Sequence, residues 1–414
     1  TVEELAALSC GQGSGISSTG SVGSMSEREV ETLHTADGPA GLRLNTPQTA
    51  WPVEALLACT WDTDLLNKIG RSIGEEMEKA GIAVWLAPGL NIHRDPLCGR
   101  NFEYYSEDPY LTGTLAAALI KGVQAMGDRG VEMKHFCANN REENRLNNDS
   151  RLSERALREI YLKAFEIAVK EAKPWAIMCS YNCFNGIHTA ESKALLTDLL
   201  RGEWGFDGFV TTDWGSHSVC WKEVKGGCNI QMPWGESREL IAMYKQGLIS
   251  LDELKSSVKP LLKKAAQYAK NAPKKPFAAT EQPEGNVWRL IGTEAGKISS
   301  GLGAETCEDE TGGRNLTNIS AKGSYFSYKL NVKVPGTYKV SVRFSSPDGS
   351  GAAKVLLNGQ QKFVWENKVK TGNWQAWQTA SDVAELELAE GQQELKIVSL
   401  GGQFNINYVD LVKE

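Results

Sequence analysis

Apolar and polar residues follow two different rhythms along this chain. Up to about Lys270, short runs of consecutive apolar residues alternate with longer stretches in which apolar residues recur every three or four positions. The runs Ile82–Leu86, Val131–Phe136, Ala176–Ser180 and Phe209–Thr212 are apolar on both faces, the pattern of strands buried in a parallel sheet. After Ser153, a residue type that caps helix N-termini, Leu157, Ile160, Tyr161, Ala164 and Ala168 predict one buried helical stripe. Ser250 and Glu253 have capping-box spacing, which predicts a helix from there to about Lys270. The alternation predicts an α/β fold, a (β/α)8-type TIM-like barrel over residues 1–270.

The next stretch, KNAPKKPFAATEQPEGN at 270–286, has three prolines and no periodicity and predicts a linker over 271–287. From 288 to 414 the period is two. Leu330, Val332 and Val334 alternate with polar residues, Pro335-Gly336 marks a turn, and Tyr338, Val340, Val342 and Phe344 alternate again. Asn358-Gly359 is a hairpin signal, and Leu386/Leu388 and Leu395/Ile397 predict another strand pair across Glu390-Gly391. Short strands at this spacing predict an all-β jelly-roll sandwich.

Composition narrows the function classes. The 51 acidic residues against 45 Lys and Arg lack the basic footprint of a nucleic-acid binder. No apolar run is long enough for a membrane-spanning helix. The nine cysteines are odd in number and without a CxxC pair, which fits neither a zinc site nor a disulfide framework. Free thiols favour a cytoplasmic or anaerobic setting. No signal peptide is visible, but the chain starts at Thr1 without Met, so the compartment stays open. Sequons at Asn148, Asn315 and Asn318 bear only on a eukaryotic secretory route. Twelve Trp offer flat faces that suit sugar rings, although a core uses them too.

Candidate chemistry gathers at the ends of the predicted strands. Asp213 ends the run FVTTDW at 209–214, beside Trp214. An Asp at a strand tip next to an indole suits a nucleophile that attacks a sugar; it also suits a turn or a helix N-cap. Lys134 and His135 follow Val131–Met133, Tyr181 follows Ala176–Ser180, Arg100 lies in the segment after Ile82–Leu86, and Asp37 stands in the run His34–Pro39. In a parallel barrel these tips share one face, where a pocket forms. Carboxylates accept pairs of hydroxyl hydrogen bonds, and Arg, Lys and His donate them. Asp37, Arg100, Lys134 and His135 thus make a sugar-holding set, with Asp213 kept ionised by nearby cations, Tyr181 steering it and Trp214 stacking under the ring. Structural readings compete: Asp37 as a turn initiator, Arg100 as a clamp on Glu103 or Glu107, Lys134-His135 as a buried pair.

Taken together, the segments TADGPAGLR (35–43), GRNFEYYSEDPYL (99–111), KHFCANN (134–140), LSERALREIYLKAF (152–165), MCSYNCFNG (178–186), LLRGEWGFDGFVTTDW (199–214) and GGCNIQMP (226–233) resemble the barrel domain of glycoside hydrolase family 3. This is the β-glucosidase and β-xylosidase group. The resemblance implies retaining, metal-free hydrolysis of a terminal β-linked sugar, with a β-glucoside or cello-oligosaccharide as substrate and no catalytic cofactor. By the same resemblance Asp213 matches the nucleophile, and Asp37, Arg100, Lys134, His135 and Tyr181 match the glycone subsite. Two departures stand out. The family's usual acid/base Glu lies on an α/β-sandwich domain, where this chain has a linker and a β-sandwich. Its other route uses a His in an Asp-Ser-His run, where this chain reads Asp149-Ser150-Arg151. An α/β-sandwich domain or separate chain supplying the Glu is therefore expected, with Glu142 and Glu143 as the local alternatives. A β-xylosidase and a non-catalytic carbohydrate-binding subunit are the competing readings.

Residues 288–414 resemble a family 6 carbohydrate-binding module through GTEAG (292–296), GGRNLTNI (312–319), GSYFSYKLNVKVPGTYKVSVRFSS (323–346), TGNWQAWQT (371–379) and GGQFNINYVDL (401–411). The resemblance implies a sugar cleft at Tyr325, Trp374, Asn405 and Asn407. It also implies a structural calcium, with Glu294 and Asp410 as candidate ligands. Trp377 falls into an alternating strand and is expected in the core. Such a module either binds polysaccharide or serves as a structural prop.

Overall fold

The apolar runs of the first half form one sheet whose strands are hydrogen-bonded in chain order: β1 (Gly20–Val22), β2 (Leu33–Asp37), β3 (Val84–Leu86), β4 (Gly130–Phe136), β5 (Ala176–Cys179) and β6 (Phe209–Thr211). The computed structural model describes residues 1–12, 19–25, 28, 30–44, 46–271, 279–299, 302–309, 312, 314–320 and 322–413. They fall into two units, Thr1–Pro273 and Lys274–Glu414. Strands β2 to β6 run parallel, but β1 runs antiparallel to β2, which corrects the all-parallel expectation at that edge. Beyond β6 the backbone bonds pass through irregular segments: Thr212 N–H to Ile230 (3.0 Å), Gly11 N–H to Gln231 (2.8 Å) and Gln12 N–H to Ser21 of β1 (3.0 Å).

Helices α1 (Thr63–Ala80), α2 (Pro109–Val123) and α3 (Lys163–Ala172) pack outside the sheet's apolar residues. Asp62 caps α1 by accepting from the N–H groups of Asp64 and Leu65, both at 2.9 Å, and Gly81 closes it in the left-handed region at φ 70°. Its buried face is Leu66, Ile69, Gly70, Ile73, Gly74 and Met77, at helical spacing. Glycines let α1 and α2 approach closely: a Cβ on Gly122 would stand 2.2 Å from the Asn67 carbonyl oxygen. Ser153 caps the third helical segment as expected, its hydroxyl accepting from Ala156 N–H at 3.2 Å. A wide π-turn at Leu157–Tyr161 then shifts the phase, and Ile160, expected on the buried stripe, is 41% exposed. The Ser250–Glu253 capping box forms, and its helix runs Leu251–Asn271.

The second unit is a pair of sheets. Ala279–Glu281 (β7) pairs with Tyr325–Val332 (β11), and the sheet continues through Gly391–Gly401 (β16) and Ala352–Leu357 (β13) to Gln360–Glu366 (β14). The other sheet runs from Gly303–Thr306 (β9) through Arg314–Thr317 (β10), Asn405–Lys413 (β17) and Gly336–Ser345 (β12) to Gln378–Leu388 (β15), with Val287–Ile291 (β8) also on β17. Val340, Val342, Leu386, Ile406 and Val409 of one sheet and Ala353, Val355, Trp365, Leu395 and Ile397 of the other line one apolar interior. The linker expectation over 271–287 is corrected at its C-terminal end. Ala279–Glu281 is a strand of the sandwich, and the buried Gln282 side chain donates to Tyr338 Oη at 2.7 Å. None of the nine cysteines is in a disulfide, and no helix among the described residues is long and apolar enough to cross a membrane.

Candidate active site

One cavity of about 840 Å³ opens at the C-terminal ends of the parallel strands. Asp37 ends β2, Lys134 and His135 lie near the end of β4, Tyr181 follows β5, and Asp213 and Trp214 follow β6. Arg100 reaches in from the loop after β3, and all seven line the cavity. Parallel strands force this convergence, because each delivers its C-terminal end to the same side.

Asp213 is buried, and its two oxygens differ. Oδ1 accepts from the Trp214 backbone N–H at 2.7 Å, whereas Oδ2 has no hydrogen-bond partner and lies 3.7 Å from His135 Nε2. Burial pushes the carboxyl above the ordinary aspartate value, outweighing the Trp214 N–H and the charges of Arg100 and Lys134. Arg100 and Lys134, the cations expected to favour the ionised form, do act in that direction. Tyr181 donates its hydroxyl to the Trp214 carbonyl at 2.8 Å, and the same phenol favours the ionised form of Asp213.

The cations are held by carboxylates. Lys134 Nζ donates to Asp37 Oδ1 at 2.7 Å, and Arg43 binds the other Asp37 oxygen. Burial resists ionisation of Asp37, but Lys134 and Arg43 overcome it and hold the carboxyl below its usual range. Arg100 pairs with Glu103, so the clamp reading and the pocket reading are both realised in one side chain. Burial, and then Arg100, Lys134 and Arg145, push His135 well below the ordinary histidine value, so it is neutral. Of the local acid candidates, Glu142 lines the cavity and pairs with Arg145 at 2.8 Å. Glu143 pairs with Arg141 and is not among the lining residues.

Sequence reasoning gave no role to Asn91, Tyr104 or Arg145. Asn91 grips the His135 backbone from both sides, accepting from its N–H at 2.9 Å and donating to its carbonyl at 3.0 Å. Tyr104 Oη lies 3.1 Å from His135 Nδ1, and Arg145 lies over the Tyr181 ring at 4.8 Å. The only prior signal was their place in the segment after Ile82–Leu86, for Asn91 and Tyr104, and in the loop after β4, for Arg145.

In the sandwich, Trp374 is 41% exposed beside Gln375. Gln375, Asn405 and Asn315 all donate to Glu305 Oε1, and Asn407 donates to Asp309 at 2.8 Å. Asn405 and Asn407 therefore stand on one sheet with the 373–377 loop beside Asn405. Tyr325 belongs to the other sheet, under Lys396 Nζ at 3.7 Å from its ring. Trp377 is half-buried before β15 starts and donates to Gln375 at 3.2 Å, which corrects its assignment to the core. Of the two calcium candidates, Asp410 is already engaged. Both Asp410 oxygens accept from Arg289, at 2.8 and 2.7 Å, so a guanidinium already neutralises that carboxylate. No group of three or more His, Cys, Asp and Glu among the described residues could hold a metal ion, Glu294 included.

Comparison with known proteins places these units. Residues 21–263 match the glycosyl hydrolase family 3 N terminal domain, and residues 293–413 match the carbohydrate binding module (family 6). Beta-glucosidase A of Butyrivibrio fibrisolvens is 48% identical over 252 residues, 59% of this chain and 30% of that protein. An exo-alpha-(1->6)-L-arabinopyranosidase of Bifidobacterium longum is 42% identical over 272 residues, 61% of this chain and 35% of that protein. Beta-glucosidase 3B from Thermotoga neapolitana, solved with alpha-D-glucose, superposes with a TM-score of 0.63 at 40% identity, over 67% of this chain and 43% of the other. The chain spans about a third of the length of these two curated relatives.

Proposed function

As the chain belongs to glycosyl hydrolase family 3, we propose that its cavity holds the terminal sugar of a β-glucoside and that Asp213 Oδ2 attacks the anomeric carbon. The observation that carries this reading is the asymmetry of that carboxylate. Buried polar atoms are normally hydrogen-bonded, and an orphan oxygen calls for an explanation such as catalysis. Here one oxygen is anchored by a backbone N–H and the other is buried, unpartnered and inside a cavity lined by donors. As the Oδ2–C1 bond forms, the bond from C1 to the leaving oxygen breaks; water then cleaves the glycosyl ester, and the two displacements retain configuration. Asp37, Lys134, Arg100 and the neutral His135 bind sugar hydroxyls. The irregular segments 9–12 and 229–232 complete a barrel around this floor.

The acid/base comes from outside this pocket. A general acid must be free to approach the leaving oxygen, and three of the four lining carboxyls are already engaged in ion pairs: Asp37 with Lys134, Glu103 with Arg100, Glu142 with Arg145. The fourth is Asp213. A carboxyl on an α/β-sandwich domain or partner chain, reaching over the open cavity, is the reading these pairs support.

The test is hydrolysis of p-nitrophenyl β-glucoside, alone and with any co-purifying polypeptide, alongside labelling by 2,4-dinitrophenyl 2-deoxy-2-fluoro-β-glucoside. That reagent has a leaving group needing no acid. Labelling at Asp213, lost in Asp213→Asn, supports the reading; labelling elsewhere refutes it. The arabinopyranosidase relatives make p-nitrophenyl α-L-arabinopyranoside, together with the β-xyloside, the second substrates to try. In the sandwich, exposed Trp374 beside the Glu305–Gln375–Asn405 cluster supports sugar binding. Trp374→Ala should lose retention on immobilised polysaccharide if it does.

A further inference from the structure

The loop after β4 carries an ion pair to which the mechanism gives no task. Arg145 Nη1 donates to Glu142 Oε2 at 2.8 Å, and both residues line the cavity. The pair is held at both ends. Asn139 is buried, and its Nδ2 donates to the other Glu142 oxygen and to Tyr104 Oη, each at 3.4 Å. At the other end, the Arg145 guanidinium carbon stands 4.8 Å from the centre of the Tyr181 ring. A cation within about 6 Å of a ring face is attracted to its electron-rich centre. The pair therefore spans from the Tyr104 hydroxyl on one wall to the Tyr181 ring on another.

What Tyr181 does with its hydroxyl makes that stacking consequential. The hydroxyl donates to the Trp214 carbonyl at 2.8 Å, and the Trp214 N–H is the group that anchors Asp213 Oδ1, at 2.7 Å. One tyrosine thus holds the residue that holds the nucleophile. Strand β6 ends at Thr211, so Asp213 and Trp214 lie beyond its regular ladder. The Gly215 N–H, bonded to the Met232 carbonyl at 2.9 Å, also pins this segment. The remaining hold on the Trp214 carbonyl is the phenol, and the orientation of the phenol depends on what lies against its ring.

We propose that Arg145 is a positioning residue for the nucleophile: stacked on Tyr181 and tethered by Glu142, it keeps the phenol hydroxyl on Trp214 and so keeps Asp213 aimed at the anomeric carbon. The inference rests on the glycosidase reading of the pocket. It requires no contact between the guanidinium and the sugar, and it gives Glu142 a task other than proton donation. Misplacing a reacting group by about 1 Å can cost about a hundredfold in rate. A Tyr181 ring freed of its cation but still carried by its own backbone should cost about tenfold.

The test is the concentration dependence of labelling of the full chain by the fluoro-glucoside, whose leaving group needs no acid. The saturating rate reads attack by Asp213, and the half-saturating concentration reads glycone capture. Arg145→Met keeps the reach without the charge. It should lower the saturating rate about tenfold at an unchanged half-saturating concentration, and Arg145→Lys should restore most of that rate. Tyr181→Phe removes the hydroxyl, and in that background Arg145→Met should cost nothing further, because both changes break one path. An unchanged rate in Arg145→Met, an effect confined to the half-saturating concentration, or costs that multiply in the double variant overturns the proposal. If Arg145→Met does not fold, Glu142→Gln, which removes the charge that tethers the guanidinium, carries the same expectation through the same cycle. If the wild type is not labelled, the glycosidase reading fails. Crystal structures of the wild type and the variant then decide the positioning: a Tyr181 hydroxyl that leaves the Trp214 carbonyl in the variant alone sustains it, and a bond kept in both overturns it.

Discussion

His135 Nε2 and Asp213 Oδ2 lie 3.7 Å apart with no hydrogen bond between them. The imidazole is neutral, and its neighbours fix which nitrogen carries the proton. Tyr104 Oη accepts from Asn139 at 3.4 Å and lies 3.1 Å from Nδ1. Burial holds the phenol far above its ordinary pKa, so it keeps its proton, and donating it to Nδ1 leaves Nε2–H facing the cavity. The histidine can thus donate a hydrogen bond into the cavity, and the pair is not an ion pair. The acid limb of the labelling rate should therefore belong to Asp213 alone and lie above the ordinary aspartate value of about 4, because burial raises that carboxyl. A pH–rate profile checks this: a limb that vanishes in His135→Asn would assign it to the imidazole instead.

Glu103 holds Arg100 against the cavity wall, and both are largely buried. Glu103→Gln keeps the shape but removes the charge that fixes the guanidinium. A charge-assisted hydrogen bond contributes roughly 1.5–3 kcal/mol, so the apparent affinity for glucose should fall about tenfold or more. Calorimetry measures it directly; an unchanged affinity would show that Arg100 is placed by its own loop.

The crossing of α1 and α2 depends on small residues. Gly122→Ala puts a methyl 2.2 Å from the Asn67 backbone oxygen, an atom that cannot swing away. Overpacking of this kind costs about 1–3 kcal/mol, so thermal unfolding should move down by several degrees. Gly127→Ala, where a Cβ meets nothing within 4 Å but φ is 78°, tests backbone strain alone in the same assay.

What the sequence made legible follows from locality. Lys134, Tyr181 and Asp213 could be placed in one pocket because each ends an apolar run, and parallel strands deliver such ends to one side. The i,i+3 pairing of Arg100 with Glu103 was also visible at short range. Asn91 was not, because its partner is the backbone of His135, and only the folded loop brings them together. Ala279–Glu281 read as linker because its pairing partner, Lys329–Asn331, lies far along the chain. The antiparallel β1, three residues long, is set by its register with β2 rather than by any pattern of its own. The burial of Asp213 was not legible either: nearby cations can be read from a motif, but depth of burial cannot.

Metal removal separates the sandwich from the calcium expectation. With both Asp410 oxygens taken by Arg289, chelation should leave its unfolding temperature unchanged, whereas Arg289→Ala should lower it by stranding the carboxylate. Calorimetry with and without EDTA reads both effects. A drop on chelation would reveal a cation held by donors other than Glu294 and Asp410.

Stability should fall as pH rises from mild acid toward neutrality. Glu223 is buried, accepting from Ser218 Oγ at 2.6 Å and Gln231 Nε2 at 3.2 Å, yet burial pushes its carboxyl up to about 7. Its unfolded value is the ordinary one, near 4.3. A group whose folded pKa is raised stabilises fully below the unfolded value and loses that contribution as pH climbs through the folded one. The window is therefore about pH 4.3 to 7, and one such group is worth at most roughly 4 kcal/mol across it. Glu132, with the same displacement, adds in the same direction. Urea unfolding of the wild type should weaken between those limits, and Glu223→Gln should flatten its share of the slope, since an amide fills the same space without titrating. A wild-type stability that is level or rising across the window would mean that Glu223 ionises freely in the folded protein.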